Sequence, residues 1–568
     1  MKTALAVLFA AGAAALHAAS PFTMNGWQFH EYDIPKLEEA IRKAPDYGVN
    51  FFIFSHRLFR SVEGFLASNS SLDPKSPPAH LARLYRKSTS HTKPHPYWQR
   101  DLLRVAAAAD RVRIPYYLWI HEFDDIPDPF LVKNRVNFDD PKLFPYLEQR
   151  YERLLAAVPG TAGFVLTFHE SDHKPFRNSE VASKLDASER MYRLSMLIYN
   201  IAKKHGKQLI VRNFFYEPLE MQFMKAAIGR LPDDIIVMSK DTVHEFHPFY
   251  PSDPLHGDVG RKKQIIEFDL GVEKAWSTQG AYAQTEYIQR YARRAQSLKL
   301  AGMVGRARLM WDKPFEDSHE VNLYAFSRFM ENPGLGVEQV LREWAARRYP
   351  EEAVPYIASA MARTQFINHN GRYHLENWFT KSIGSEWGDY NYYFGHPLER
   401  SRYKWSRNPA DQELENKLFH PDRAVFDRAV AEKDEVIRQV LASTKDVEEA
   451  ARYMAPEKIA PLKEDFRFLL DAARLQREWV RAYFAQRMFI EQQKEESRVI
   501  AEDALRKLES LERTPGVTYG LDPETGRRYN IDNFVLEMRW RMANIKRARL
   551  EDERILERAR SAGDVERR

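Results

Sequence analysis

The chain is predicted to be an α/β protein: a (β/α)8 barrel followed by a mainly α-helical C-terminal domain. Three observations predict it. Short apolar runs recur between residues 24 and 312 and alternate with amphipathic stretches, the rhythm of βα units. Most of the runs are apolar throughout, as strands buried on both faces of a parallel sheet must be. Three of them lead into the same two letters, at His30-Glu31, His121-Glu122 and His169-Glu170. Acids and imidazoles gathered at one end of successive strands describe the mouth of an α/β barrel, where such folds keep their chemistry.

Taken in order, residues 1–20 come first. Lys2 precedes an apolar Ala/Leu/Val/Phe run that ends in small residues at Ala18-Ala19-Ser20. This reads as a secretory leader, and the protein is expected to be periplasmic or secreted. The run is short for a membrane span, so no stable insertion is expected once the leader is removed. The barrel is assigned to residues 21–315. Its strands are expected at 25–29, 50–55, 114–120, 163–168, 208–214, 234–238, 264–268 and 302–310, with helices such as 34–44 and 189–205 between them. A doubly wound open sheet is the alternative that the same alternation allows. Residues 316–568 contain few β-type runs. Phe468, Ala472, Leu475, Trp479 and Tyr483 recur at helical spacing, so one stripe of that helix must be buried. Further helices are expected near 318–348, 351–366, 423–445 and 533–560. Residues 513–530 carry Thr-Pro-Gly and Pro-Glu-Thr-Gly and read as a loop. The aromatic segment from Trp387 to His396 either roofs the pocket or fills the seam between the two domains.

Composition narrows the partners. The 85 basic and 80 acidic side chains leave a net charge of +5, mild for 568 residues. No basic tract interleaved with aromatics occurs, which disfavours nucleic acid. The chain has no cysteine, hence neither a disulfide nor a lipid-attachment thiol. No glycine-rich cofactor or phosphate loop is found, and no cofactor is expected. The long amphipathic helices of the C-terminal half suit a homodimer, or equally a bundle folded on itself.

Hydrolysis of an acetal needs a proton for the leaving oxygen and a base for water, and paired carboxyl groups supply both. Glu170 follows the fourth strand beside Phe168. A mouth closed by aromatics would keep such an acid protonated. Glu245 follows the sixth strand and Glu273 the seventh, placed to flank a water on the side opposite Glu170. Glu267 lies inside its strand and reads as structural or supporting. Neighbours on an extended strand point to opposite sides, so each His-Glu pair sends one member into the pocket. His30, Glu31, His121, Glu122 and His169 are therefore all candidates for substrate contact. Arg57, Arg212 and Lys240, near the ends of strands two, five and six, suit an anionic group such as a sugar carboxylate. Asn213, His247, Trp311 and Asp312 complete the candidate lining, Trp311 offering a ring face beside an acceptor. No His-Glu-x-x-His helix occurs and no His-x-His lies on the first strand, so no metal site is assigned.

Several stretches resemble the glycoside hydrolase family 67 α-glucuronidases. Residues 163–170, Gly-Phe-Val-Leu-Thr-Phe-His-Glu, are similar to that family's fourth-strand segment, and the resemblance implies that Glu170 is the catalytic acid. Glu245-Phe246-His247-Pro248 resembles an Asp-Phe-Gln-Pro segment, which implies that Glu245 helps to activate water. The run through Leu255, Gly257 and Glu267 keeps the family's spacing, and the resemblance implies that Glu273 is its second basic carboxylate. Trp311-Asp312, the run from Asn322 to Arg328, and Arg342-Glu343-Trp344 resemble the end of the family's barrel and the start of its helical domain. The sequence also departs from the family. No separate N-terminal domain precedes this barrel, Ser171 to Phe176 replace a glycine- and proline-rich loop, and Glu245 is one methylene longer than aspartate. The resemblance implies an inverting, exo-acting enzyme that releases a uronic acid or related sugar from plant or algal oligosaccharides. Two other classes fit the same residues: a carbohydrate-binding protein on a degenerate barrel, and a metal-dependent hydrolase built on the histidines.

Overall fold

A computed structural model describes residues 20–30, 33–58, 62–67, 98–243, 246–270, 280–307, 315–379, 394, 401, 403–406, 408–512 and 531–565. Eight parallel strands close into a barrel: β1 (Met24–Phe29), β2 (Phe51–Phe54), β3 (Tyr116–His121), β4 (Gly163–Thr167), β5 (Gln208–Asn213), β6 (Ile236–Lys240), β7 (Lys263–Asp269) and β8 (Gly302–Ala307). β1 pairs with β2 on one side and with β8 on the other, so the sheet has no open edge. The barrel, and not the doubly wound sheet, is the fold.

Alternation explains why the middles of these strands are apolar on both faces. Phe51, Ile53, Trp119, Val165, Met238 and Val304 point inward and fill the barrel. Their neighbours Phe52, Leu118, Phe164, Val237 and Met303 point outward into a second, larger core under the helices. Both faces are dry, so polar side chains below the mouth must find partners: Asn25 and Gln264, near the starts of β1 and β7, donate to backbone carbonyls.

Two glycines begin strands where neighbouring backbones crowd. Gly163 and Gly302 have φ of +153° and +154°, and a Cβ would fall 1.8 Å from the Gln208 carbonyl oxygen and 1.7 Å from that of Met24. Gly302→Ala is expected to cost at least ~1–3 kcal/mol from strain and overlap together. Urea unfolding monitored by circular dichroism would measure it.

The expected helix over 318–348 is two helices, Glu320–Glu331 and Val337–Ala346, because Asn332-Pro333-Gly334 interrupts it. The first buries Phe326, Phe329 and Met330 in the same core as the outward faces of the strands. It thereby packs against the outside of the barrel. The span 533–560 is also two helices, Ile531–Ala543 and Ile545–Val565. The helix Pro456–Gln492 carries the predicted stripe: Ala472, Leu475, Trp479 and Tyr483 are buried and Phe468 is half-buried. Its upper part belongs to one helical core with Ile357 and Val440, its lower part to another with Phe426 and Phe534.

The helix Val354–Arg372 fastens this region to the barrel. Asn368 Nδ2 donates to the Ala281 carbonyl at 3.1 Å, and Thr364 Oγ1 accepts from the Ala283 amide at 2.8 Å. Residues 280–284 lie between β7 and the barrel helix Thr285–Ser297, so the helical region grips a connection at the mouth. The leader up to residue 19, the loop 513–530 and all of the 387–396 segment except Phe394 lie outside the described residues. Among the described residues no helix is long and apolar enough to cross a membrane.

Candidate active site

Where the strands reach the mouth, the inward parity turns polar. Gln28, His121, Thr167, Arg212, Lys240, Glu267 and Arg306 continue the inward-facing positions of their strands. Charges cannot sit above an apolar barrel without partners. Arg212 is the centre of the arrangement that supplies them.

Arg212 forks onto Glu267, with Nε 2.7 Å from Oε2 and Nη2 3.1 Å from Oε1. Its Nη1 lies 3.4 Å from Thr167 Oγ1 and 3.4 Å from Glu170 Oε2. The guanidinium also rests against the Trp119 and Phe214 rings, at 4.4 and 4.8 Å from their centroids. Glu267 is fully buried. Burial pushes its carboxyl up, but the charges of Arg212 and Lys240 outweigh that and hold it below the usual range. Lys240 pairs in register with Glu267. Its ammonium stands 3.6 Å from the Phe214 centroid and 4.4 Å from that of Phe246, a cation held over two rings.

Glu170 stands at the rim. Its side chain is 36% exposed and touches Arg212, with His121 Nε2 at 4.0 Å. A guanidinium and an imidazole thus stand beside it. The His121 and His56 ring centroids lie 4.1 Å apart. Trp119 forms a floor beneath His30, His56 and His121, with centroids at 4.8, 5.6 and 5.5 Å.

Four predicted lining residues are committed elsewhere. Glu122 has the outward parity, is fully buried and is bound by Arg150 and Tyr151. This corrects its placement in the pocket: His121 is the member of that pair that faces in. His169 packs behind the rim against Phe214 and Tyr216, with Nε2 3.5 Å from Glu220. Asn213, also of outward parity, donates from Nδ2 to Asp253 Oδ2 at 2.7 Å. His247 is buried beneath the helical region, its Nδ1 2.8 Å from the Tyr373 hydroxyl and its ring 3.9 Å from that of Trp378. The structure brings together Glu170, His121, Arg212, Lys240 and, through Gln28 and Glu267, His30. Glu31, Glu245, Glu273, Trp311 and Asp312 lie outside the described residues, as does the Arg57 side chain.

The connection after β6 is anchored by two buried acids. Asp241 accepts from the Tyr287 hydroxyl at 2.7 Å, and Asp253 accepts from Asn213 and from the Leu255 amide. Burial pushes both carboxyls up to about 7, against the hydrogen bonds they accept. Each binds its proton more tightly folded than unfolded. The resulting stability is full below the unfolded value of 3.8 and is lost as pH rises to about 7. Asp253→Asn is expected to flatten this decline, measured as urea midpoints across that window. A slope equal to that of the wild type would refute the attribution.

Sequence reading passed over Gln28 and the inward-facing Asp269, and gave Glu267 only a supporting part. Strand parity was the available signal: Gln28 lies two residues before His30, and Asp269 two after Glu267. Among the described residues no group of three His, Asp or Glu side chains is placed to hold a metal ion.

No model of a known family and no curated protein matches the chain. Solved structures do. A GH138 enzyme targeting the pectin rhamnogalacturonan II superimposes with a TM-score of 0.60 at 12% identity, over 93% of this chain and 68% of its own. A Thermobaculum terrenum O-GlcNAc hydrolase variant matches at 0.44 and 12% identity, covering 94% of this chain and 97% of its own. CpGH84B matches at 0.43 and 11% identity, covering 92% and 77%. At such identities the GH138 likeness carries the fold, a TIM barrel with a helical C-terminal region. It does not single out family 67 or its domain architecture.

Proposed function

We propose that the protein is an exported glycoside hydrolase, inverting and exo-acting, that releases a uronic acid or related sugar from an oligosaccharide. The observation that carries this reading is Glu170: a part-exposed carboxyl at the barrel mouth, between Arg212 and His121, above a charged and aromatic floor. Glu170 gives its proton to the glycosidic oxygen as positive charge develops on the sugar ring. Glu245 and Glu273 are the proposed carboxylates that orient and deprotonate water from the opposite side. Inversion needs acid and base roughly 6.5–9.5 Å apart, room enough for that water. Arg212 and Lys240 supply positive charge for a substrate carboxylate. The GH138 enzyme that shares the fold targets a pectin, a glycan of the same broad class.

The test is incubation with a panel of uronic-acid-bearing oligosaccharides, with the released sugar and its first-formed anomer identified by proton NMR. A β-anomer from an α-linked substrate supports inversion, and an α-anomer first replaces it with retention. Glycan binding without product at any pH moves the protein to the carbohydrate-binding class. Loss of activity with a chelator and its return with metal would assign the chemistry to a metal ion.

A further inference from the structure

Gln28 is buried on β1, two residues before His30. Its Nε2 lies 3.0 Å from Glu267 Oε1 and 2.8 Å from His30 Nε2. An amide nitrogen carries two hydrogens, and these contacts use both. Glu267 is forked to Arg212 and held below the usual carboxylate range, so it only accepts. Turning the amide over would set its oxygen 3.0 Å from that carboxylate, acceptor against acceptor. The nitrogen must therefore face Glu267, even though Gln28 Oε1 is left buried without a hydrogen-bond partner. That same nitrogen faces His30 Nε2. A donor there requires an acceptor, so Nε2 carries no proton and the ring is neutral, protonated at Nδ1.

We propose that Gln28 is a positioning residue: it relays the charge of Glu267 to His30 and locks that imidazole as the neutral Nδ1–H tautomer at the rim of the mouth. The relay runs from Arg212 on β5 through Glu267 on β7 to Gln28 on β1, tying three strands to one proton position. A neutral ring adds no further positive charge beside Arg212 and Lys240. Nδ1–H is then the ring's one donor, so any oxygen that meets the ring there, of protein or substrate, accepts from it. Any consequence for turnover rests on the glycoside hydrolase reading; the tautomer does not.

The experiment is nitrogen NMR of the full chain labelled at histidine, with His30 assigned by the signals lost in His30→Gln. In the wild type at neutral pH, Nε2 is expected in the unprotonated range and Nδ1 in the protonated one. A protonated Nε2 overturns the proposal, and this arm needs no destabilising variant. Gln28→Glu puts an acceptor opposite Nε2 and is expected to move that nitrogen into the protonated range; an unmoved resonance in the folded variant counts against the relay. Gln28→Leu is expected to lower kcat/KM about tenfold, the loss of one hydrogen bond's worth of positioning. Unchanged kinetics would confine Gln28 to packing and overturn its positioning role. If no glycan is turned over, the glycoside hydrolase reading fails while the resonances still decide the tautomer.

Discussion

Replacing Glu170 by glutamine is expected to lower kcat on a natural oligosaccharide by about 10²–10⁴-fold, the usual worth of a positioned general acid. Glutamine keeps the size of the side chain and lacks the acidic proton. Arg212 keeps its fork onto Glu267, so the floor of the mouth stays in place. A substrate with an activated leaving group departs without protonation and should lose far less. The comparison of kcat on an unmodified oligosaccharide and on an aryl glycoside measures the difference directly. Unchanged hydrolysis of the natural substrate would remove Glu170 from the mechanism, and equal losses on both would take away its role as acid.

Arg212→Met is the change with the largest expected effect on stability. It leaves Glu267 fully buried without the fork that offsets its desolvation. Breaking one partner of such a pair costs about 3–5 kcal/mol. Lys240 and Gln28 remain close to Glu267, but neither replaces two parallel hydrogen bonds. The double variant Arg212→Met with Glu267→Leu removes both charges together and should regain much of the loss. Denaturant unfolding of the wild type, Arg212→Met, Glu267→Leu and the double variant closes the cycle. A single variant as stable as the wild type would show that the pair does not hold the barrel's upper layer together.

The barrel was legible because both faces of its strands are apolar, and a run such as Phe51 to Phe54 has no other comfortable place. Strand ends were less legible, and for a physical reason. β6 ends at Lys240, two residues past its expected end, and β7 at Asp269, one past. The tops of these two strands turn polar because the mouth needs charge, so in them hydrophobicity fades before the strand does. Glu170, His121, Arg212 and Lys240 were visible as chemistry-bearing residues near strand ends. Glu122, His169 and Asn213 looked equivalent to them in sequence, but their side chains belong to the layer behind the mouth. Gln28 and Glu267 acquire their parts only from partners across the barrel, which no local pattern encodes.

The bonds from Asn368 and Thr364 to residues 281–283 have an evolutionary consequence. Barrels diversify by exchanging the connections at the tops of their strands. Here the connection after the seventh strand is stitched to a distant stretch of chain, so a new connection would have to arrive with a matching helix. Any graft of this rim onto another scaffold must carry residues 354–372 with it.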